Sequence, residues 1–279
     1  MISIIICSRT QNINKNLSEN IQKTIGCEYE LVVIDNSENQ YSIFEAYNLG
    51  IDKSAGEYLC FIHDDVLLHT QNWGLLVQVV FEQNKELGLL GIAGAKSKTK
   101  MPSAWWDCPE SDKLLYLKQH LRNGSIGDWE KGFTNKNIEK VVAIDGVFMI
   151  ARRDDKFSFH NSFKGFHGYD LNISFEYIQL GYEIMVSNLI LVEHFSLGKM
   201  NKDWYSSTLQ MHKLYSNLLP LKTERRIVAK VVEFANGVNF IKGLLFFKFK
   251  KEAFFLWLQL IVLKPISRFH FNFMKEILI

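Results

Sequence analysis

The chain has only four cysteines, Cys7, Cys27, Cys60 and Cys108, all far apart and none in a C-x-x-C spacing. This excludes a zinc knuckle and a disulfide framework, and a reducing cytoplasm is the expected compartment. A secretory signal is also missing: Ile4-Ile5-Ile6 is too short for its apolar segment and has no basic stretch before it, so it reads as a first strand. Ala253 to Leu263 is strongly apolar but covers only about half of the ~20 residues that span a bilayer. The segment Ser8-Arg9-Thr10-Gln11-Asn12, after the first strand, contains no glycine. It therefore lacks the Gly-rich phosphate loop that a nucleotidyltransferase usually shows there. The main body also lacks positive charge. From Arg225 to Ile279 ten Lys/Arg stand against three Glu, a tail at +7, and the net charge of +2 then leaves residues 1–224 at −5. A nucleic-acid binder would need its basic face on the folded core, so that class is set aside.

What is present is enough apolar material for a core, with 47% hydrophobic and 22% charged residues. Ser3 to Cys7 predicts a strand, Asn14 to Ile25 a helix closed by Gly26, and Leu31 to Ile34 a second strand, the opening of a right-handed crossover in a parallel sheet. Ser42 and Glu45 form a capping-box pattern, and the helix they open carries Phe44, Tyr47 and Ile51 on one face. Trp73 to Gln83 reads as a helix and Gly88 to Ala93 as a strand. Lys96 to Lys140 is poor in regular pattern and reads as a long functional or mobile loop. Val141 to Ile150 has strand character broken at Asp145-Gly146, Glu183 to Val192 reads as a last core strand, and Lys202 to Leu219 as a helix.

The chemistry gathers at strand ends. Tyr58 to Ile62 is a short buried-strand pattern that stops at His63-Asp64-Asp65, and ionised carboxylates cannot lie along a buried strand. They belong at its mouth, where open α/β sheets bind ligands, and suit a metal site, a general base or a plain polar turn. Asp35 ends the second strand in the same way. Asp170 lies at or just inside a helix start, where a carboxylate can cap exposed amides or act as a base held by them. Trp105 and Trp106 suit either sugar stacking or core packing.

The ordered set Ala46-Tyr47-Asn48-Leu49-Gly50-Ile51, Ala55-Gly56-Glu57-Tyr58, His63-Asp64-Asp65-Val66, Asp145-Gly146-Val147-Phe148-Met149, Gly165-Phe166-His167-Gly168-Tyr169-Asp170 and Glu193-His194-Phe195-Ser196 resembles family 2 glycosyltransferases of the GT-A fold. The likeness is greatest to the branch that writes its Asp-x-Asp element as His-Asp-Asp-Val. It implies a Rossmann-like, mixed but mainly parallel sheet flanked by helices, and transfer of a sugar from a nucleoside-diphosphate donor, UDP-linked by analogy, to a glycan or glycolipid acceptor. It further implies a divalent cation, Mn2+ or Mg2+, held by Asp65 with His63 or Asp64 and His194. Asp170 becomes the base of an inverting displacement, and Asp145 and Tyr169 belong to the acceptor site. Asp35, Asn48, Ser8 and Arg9 become nucleotide contacts. His63 departs from the commoner pattern by supplying imidazole where a carboxylate stands, which makes Asp65 the more secure ligand.

Residues 1–222 are the expected catalytic domain and 223–279 a basic, apolar helical extension. Lys248, Lys250, Lys251, Lys264 and Arg268 flank the apolar run, a pattern that suits an anionic membrane surface, the catalytic domain or a second subunit of a homodimer.

Overall fold

The computed structural model describes residues 1–223 and 228–277. Arg225 and Arg226, which open the basic tail, lie outside the described residues. In chain order the strands are β1 (Ile2–Ser8), β2 (Tyr29–Asp35), β3 (Tyr58–Ile62), β4 (Val66–Leu68), β5 (Leu87–Gly91), β6 (Ala93–Ala95), β7 (Ser97–Lys98), β8 (Lys113–His120), β9 (Ile126–Lys131), β10 (Ile138–Val141), β11 (Ala143–Ile144), β12 (Phe148–Arg152), β13 (Glu183–Ser187), β14 (Val192–His194) and β15 (Leu221–Lys222). The helices are α1 (Lys15–Thr24), α2 (Ile43–Lys53), α3 (Trp73–Gln83), α4 (Tyr169–Gln179), α5 (Lys202–Leu214), α6 (Lys230–Phe246), α7 (Lys250–Leu263) and α8 (Arg268–Ile277).

The first sheet runs β10-β13-β5-β12-β3-β1-β2. It is parallel except for β10 and β12, which run against their neighbours. Its interior strand β3 is buried along its whole length, as expected of a strand covered on both faces. The second sheet runs β11-β6-β8-β14-β4, with β9 added beside β8. The chain passes repeatedly from one sheet into the other, among these crossings β3 into β4, β5 into β6, β10 into β11, β11 into β12, and β13 into β14. Such crossings let a densely buried chain turn polar. His63, Asp64 and Asp65 lie between β3 and β4, and Asp145 between β11 and β12.

The local signals explain the helices. The Asn14 side chain accepts from the Asn16 N–H at the start of α1. At α2 the Ser42 hydroxyl accepts from the Glu45 N–H (3.3 Å), while Glu45 Oε2 accepts from the Ser42 N–H (2.9 Å), so two orphan donors are satisfied reciprocally. The left-handed N-cap of α4 is Gly168 (φ 85°), which leaves Asp170 inside the first turn.

Three expectations need correction. Lys96 to Lys140 is not one irregular loop, for it holds β7, the β8–β9 hairpin and the start of β10. Edge strand β9 is largely solvent-exposed, so neither face needed the apolar alternation that reveals a strand. The stretch from Glu183 divides into β13 and β14 in different sheets, with the Ser187 hydroxyl accepting from the Leu189 N–H at the break. The helix from Lys202 stops at Leu214 rather than Leu219.

After β15 the chain forms α6 to α8, whose apolar cluster includes Phe240, Ile241, Leu244, Leu256, Leu260 and Phe273. Met101, from the loop after β7, is part of the same cluster, and Trp204 and Tyr205 of α5 pack against it.

Candidate functional site

Asp65 occupies the crossing between β3 and β4, and His194 ends β14, which pairs antiparallel with β4 so that His194 lies opposite Val66. His63 follows β3 directly, its N–H donating to the Val147 carbonyl at the head of β12 (3.4 Å). These three segments bring His63 Nδ1, Asp65 Oδ1 and His194 Nε2 together. The two nitrogens are 3.2 Å apart, and the Asp65 oxygen is 3.6 Å from His194 and 3.9 Å from His63. Ligands bonded at about 2.1 Å stand roughly 3.0 Å apart on an octahedral edge and 3.4 Å on a tetrahedral one. A cation would therefore need only small side-chain adjustments to be held by all three. Among the described residues this is the one cluster of three such side chains within bonding reach of a common ion.

The protonation states fit that use. Burial and the neighbouring His194 lower the His63 pKa, against the pull of Asp65, so its ring is neutral near pH 7. Burial opposes ionisation of Asp65, but its polar neighbours His194 and Ser196 outweigh that and hold the carboxyl well below the usual carboxylate range. Gln119 fixes the tautomer of His194. Its amide N–H groups donate to the carbonyls of His120 (3.1 Å), His194 (3.3 Å) and Ser196 (2.8 Å), which leaves Oε1 to accept from His194 Nδ1–H at 3.0 Å. Nε2 of His194 then carries the free lone pair. The other nitrogen of His63 meets the Tyr169 hydroxyl at 2.5 Å, which can accept its proton and leave Nδ1 bare.

Asp64 does not join this cluster. Its Oδ2 accepts from the Arg9 backbone N–H (3.0 Å) and Nε (3.1 Å), and its Oδ1 from Nη2 (2.5 Å). The same guanidinium lies 3.4 Å from Asp65, so Asp64 fixes a mostly exposed cation at the edge of the site. Ser8 and Asp35 end neighbouring strands in register. Ser8 is buried, whereas Asp35 is half-buried and accepts from the Ser37 N–H (2.9 Å) and hydroxyl (2.7 Å). Both Asn48 amide N–H groups are already committed, to the Phe159 carbonyl (2.8 Å) and Asn161 Oδ1 (3.0 Å), and Oδ1 accepts from the Phe159 N–H (2.8 Å), so Asn48 could donate to a nucleotide only by breaking one of these bonds.

On the other side of His63, the Tyr169 ring packs directly over Gly146, where a Cβ would come within 2.4 Å of its hydroxyl. Asp145 accepts from the Val147 N–H and from the Trp105 indole N–H, both at 2.9 Å. Trp105 is only 5% exposed and Trp106 39%, the rings meeting edge to face, so the pair is not a flat stacking platform. Asp170 accepts from the Leu171 N–H at 2.8 Å. Burial, reinforced by the nearby Asp145 charge, raises its pKa from 3.8 to about 7. Lys98 is buried, with Nζ donating to Ser103 and 3.0 Å from His212 Nε2. Burial pushes its pKa down to about 7, against the acidic groups around it, Asp170 among them. Sequence reasoning missed Gln119 and Lys98, because their partners His194 and His212 lie far along the chain.

A family model described as a glycosyltransferase-like family matches residues 3–218. Among solved structures, GalNAc-T7 with UDP, GalNAc and Mn2+ is similar over 76% of this chain and 47% of that one, at 10% identity and a TM-score of 0.53. The chain thus spans about half the length of that relative, and the likeness is one of fold. A197 from STIV is similar at 13% identity over 70% of this chain and 86% of that one, with a TM-score of 0.42. No curated protein matches.

Proposed function

We propose, from the premise that this chain belongs to the glycosyltransferase-like family and has the GT-A fold, that it moves a sugar from a nucleoside-diphosphate donor to a hydroxyl of a glycan or lipid-linked acceptor. The observation that carries this reading is the meeting of His63, Asp65 and His194 beside the Tyr169–Asp170 helix start. A divalent cation held there would neutralise charge on the departing diphosphate. Two imidazoles with one carboxylate favour Mn2+ over Mg2+, which prefers oxygen ligands.

In this reading Arg9, steadied by Asp64, faces the diphosphate, and Ser8 and Asp35 flank the nucleoside at adjoining strand ends. Asp170 takes the proton of the acceptor hydroxyl as that oxygen bonds to the anomeric carbon. The bond from that carbon to the diphosphate oxygen breaks, the electron pair leaves with the diphosphate, and the configuration inverts. Asp145, held by Trp105 and Val147, raises the basicity of Asp170. The test is donor turnover with Mn2+ across UDP-sugars. Nucleoside diphosphate should be released, and Asp65→Asn should slow release on the order of 10²-fold. Release of pyrophosphate, or a near-full rate in the Asn variant, would overturn the assignment.

A further inference from the structure

We infer that the outward face of the C-terminal helices docks on an anionic lipid surface. The proposal is independent of the transfer chemistry. On α7, Phe255, Leu258 and Val262 recur at spacings of three and four on the side opposite buried Ala253, Leu256 and Leu260. Phe246 at the end of α6 is 79% exposed, Val262 83%, and Ile266 between α7 and α8 91%. Cations are interleaved with them. Lys248, Lys250 and Lys251 are exposed at the α6–α7 turn, next to Phe246 in sequence, and on α8 the Lys275 ammonium lies 4.3 Å above the exposed Phe271 ring.

Apolar and aromatic side chains among lysines suit the boundary between lipid headgroups and acyl chains, where rings insert and ammonium groups stay at the phosphates. No described helix is long and apolar enough to cross a membrane, so the apolar face would lie in the surface plane. Charge selects the occupant. The tail carries ten basic against three acidic residues, and Glu233, one of the three, is buried against the loop after β7. Two such faces would repel each other, whereas an anionic bilayer attracts one.

The test is sedimentation of the full chain with phosphatidylcholine vesicles, with and without phosphatidylglycerol. The protein should pellet only when phosphatidylglycerol is present, and less as salt is added. Replacing Lys248, Lys250 and Lys251 together by Gln should weaken partitioning about fivefold for each lysine lost. Phe255→Ser with Val262→Ser should weaken it at both low and high salt, and unchanged thermal melting would show that these exposed substitutions leave the fold intact. Failure to pellet with phosphatidylglycerol at low salt overturns the proposal, as does equal pelleting with phosphatidylcholine alone. So does a dimer abolished by the Phe255/Val262 substitutions, which would assign the face to a second copy.

Discussion

At the scale of single residues, the site is held by groups that touch no reacting atom. Gln119 is the clearest, because its amide orientation is settled by three carbonyls and in turn dictates which nitrogen of His194 is bare. Gln119→Leu should weaken Mn2+ binding about 10- to 100-fold, measured by calorimetric titration. An unaltered affinity would show that His194 keeps its orientation without it. Asp170 makes a prediction of a different kind. A base must be ionised, so kcat/KM should climb with pH and level off above about 7, and Asp170→Asn should lose roughly 10² to 10⁴ in rate. The stability effect has the opposite sense. The folded-state pKa of about 7 exceeds the ordinary 3.8, so the carboxyl increasingly opposes folding between those values, and Asp170→Asn should melt higher than the parent above pH 7 but gain nothing below pH 4. His63, Asp65 and His194 were legible as candidates because each follows an apolar strand-like run, and Asp170 because it lies at a helix start. Gln119 and Lys98 were not, since their roles come from partners 75 and 114 residues away.

At the scale of elements, helices with chemical punctuation were readable and the polar hairpin was not. Asn14, the Ser42–Glu45 pair and the apolar face of α2 state their geometry locally. The β8–β9 hairpin does not, because its stability comes from pairing with β6 and β14 rather than from its own alternation. Asp145-Gly146 was readable as a strand break, but its purpose needed the packing of α4. Tyr169 lies over Gly146 and edge-on to Tyr47, so a strand break and two helices together set the ring that holds His63. Gly146→Ala must push that ring away, at a cost of about 1–3 kcal/mol by urea unfolding. It should also weaken Mn2+ binding. Lost stability with unchanged metal affinity would separate Tyr169 from the orientation of His63.

At the scale of the whole molecule, the charge asymmetry and the compositional change near residue 222 were visible in the sequence, but the way the tail grips the body was not. Glu233 of α6 accepts from the backbone N–H groups of Lys100 (2.8 Å) and Met101 (2.9 Å), and Asn236 donates to the Thr99 hydroxyl (3.1 Å) and the Asp107 carbonyl (2.7 Å). The segment so clamped also carries Trp105, the indole donor of Asp145. Removing the helices would strip partners from buried amides, each worth about 1–3 kcal/mol, and loosen that indole. By contrast, His63, Asp65 and His194 are fixed by β3, β4, β14 and Gln119, and none of their hydrogen bonds comes from the tail. A chain ending at Lys222, and the milder Glu233→Gln in the full chain, should therefore bind Mn2+ nearly as the parent does while transferring less sugar to acceptor for each donor consumed. Measuring metal affinity alongside the ratio of transfer to donor hydrolysis tests this directly. If both quantities fall together, the tail supports the whole site; if neither changes, the clamp on the Trp105 segment has no bearing on acceptor chemistry.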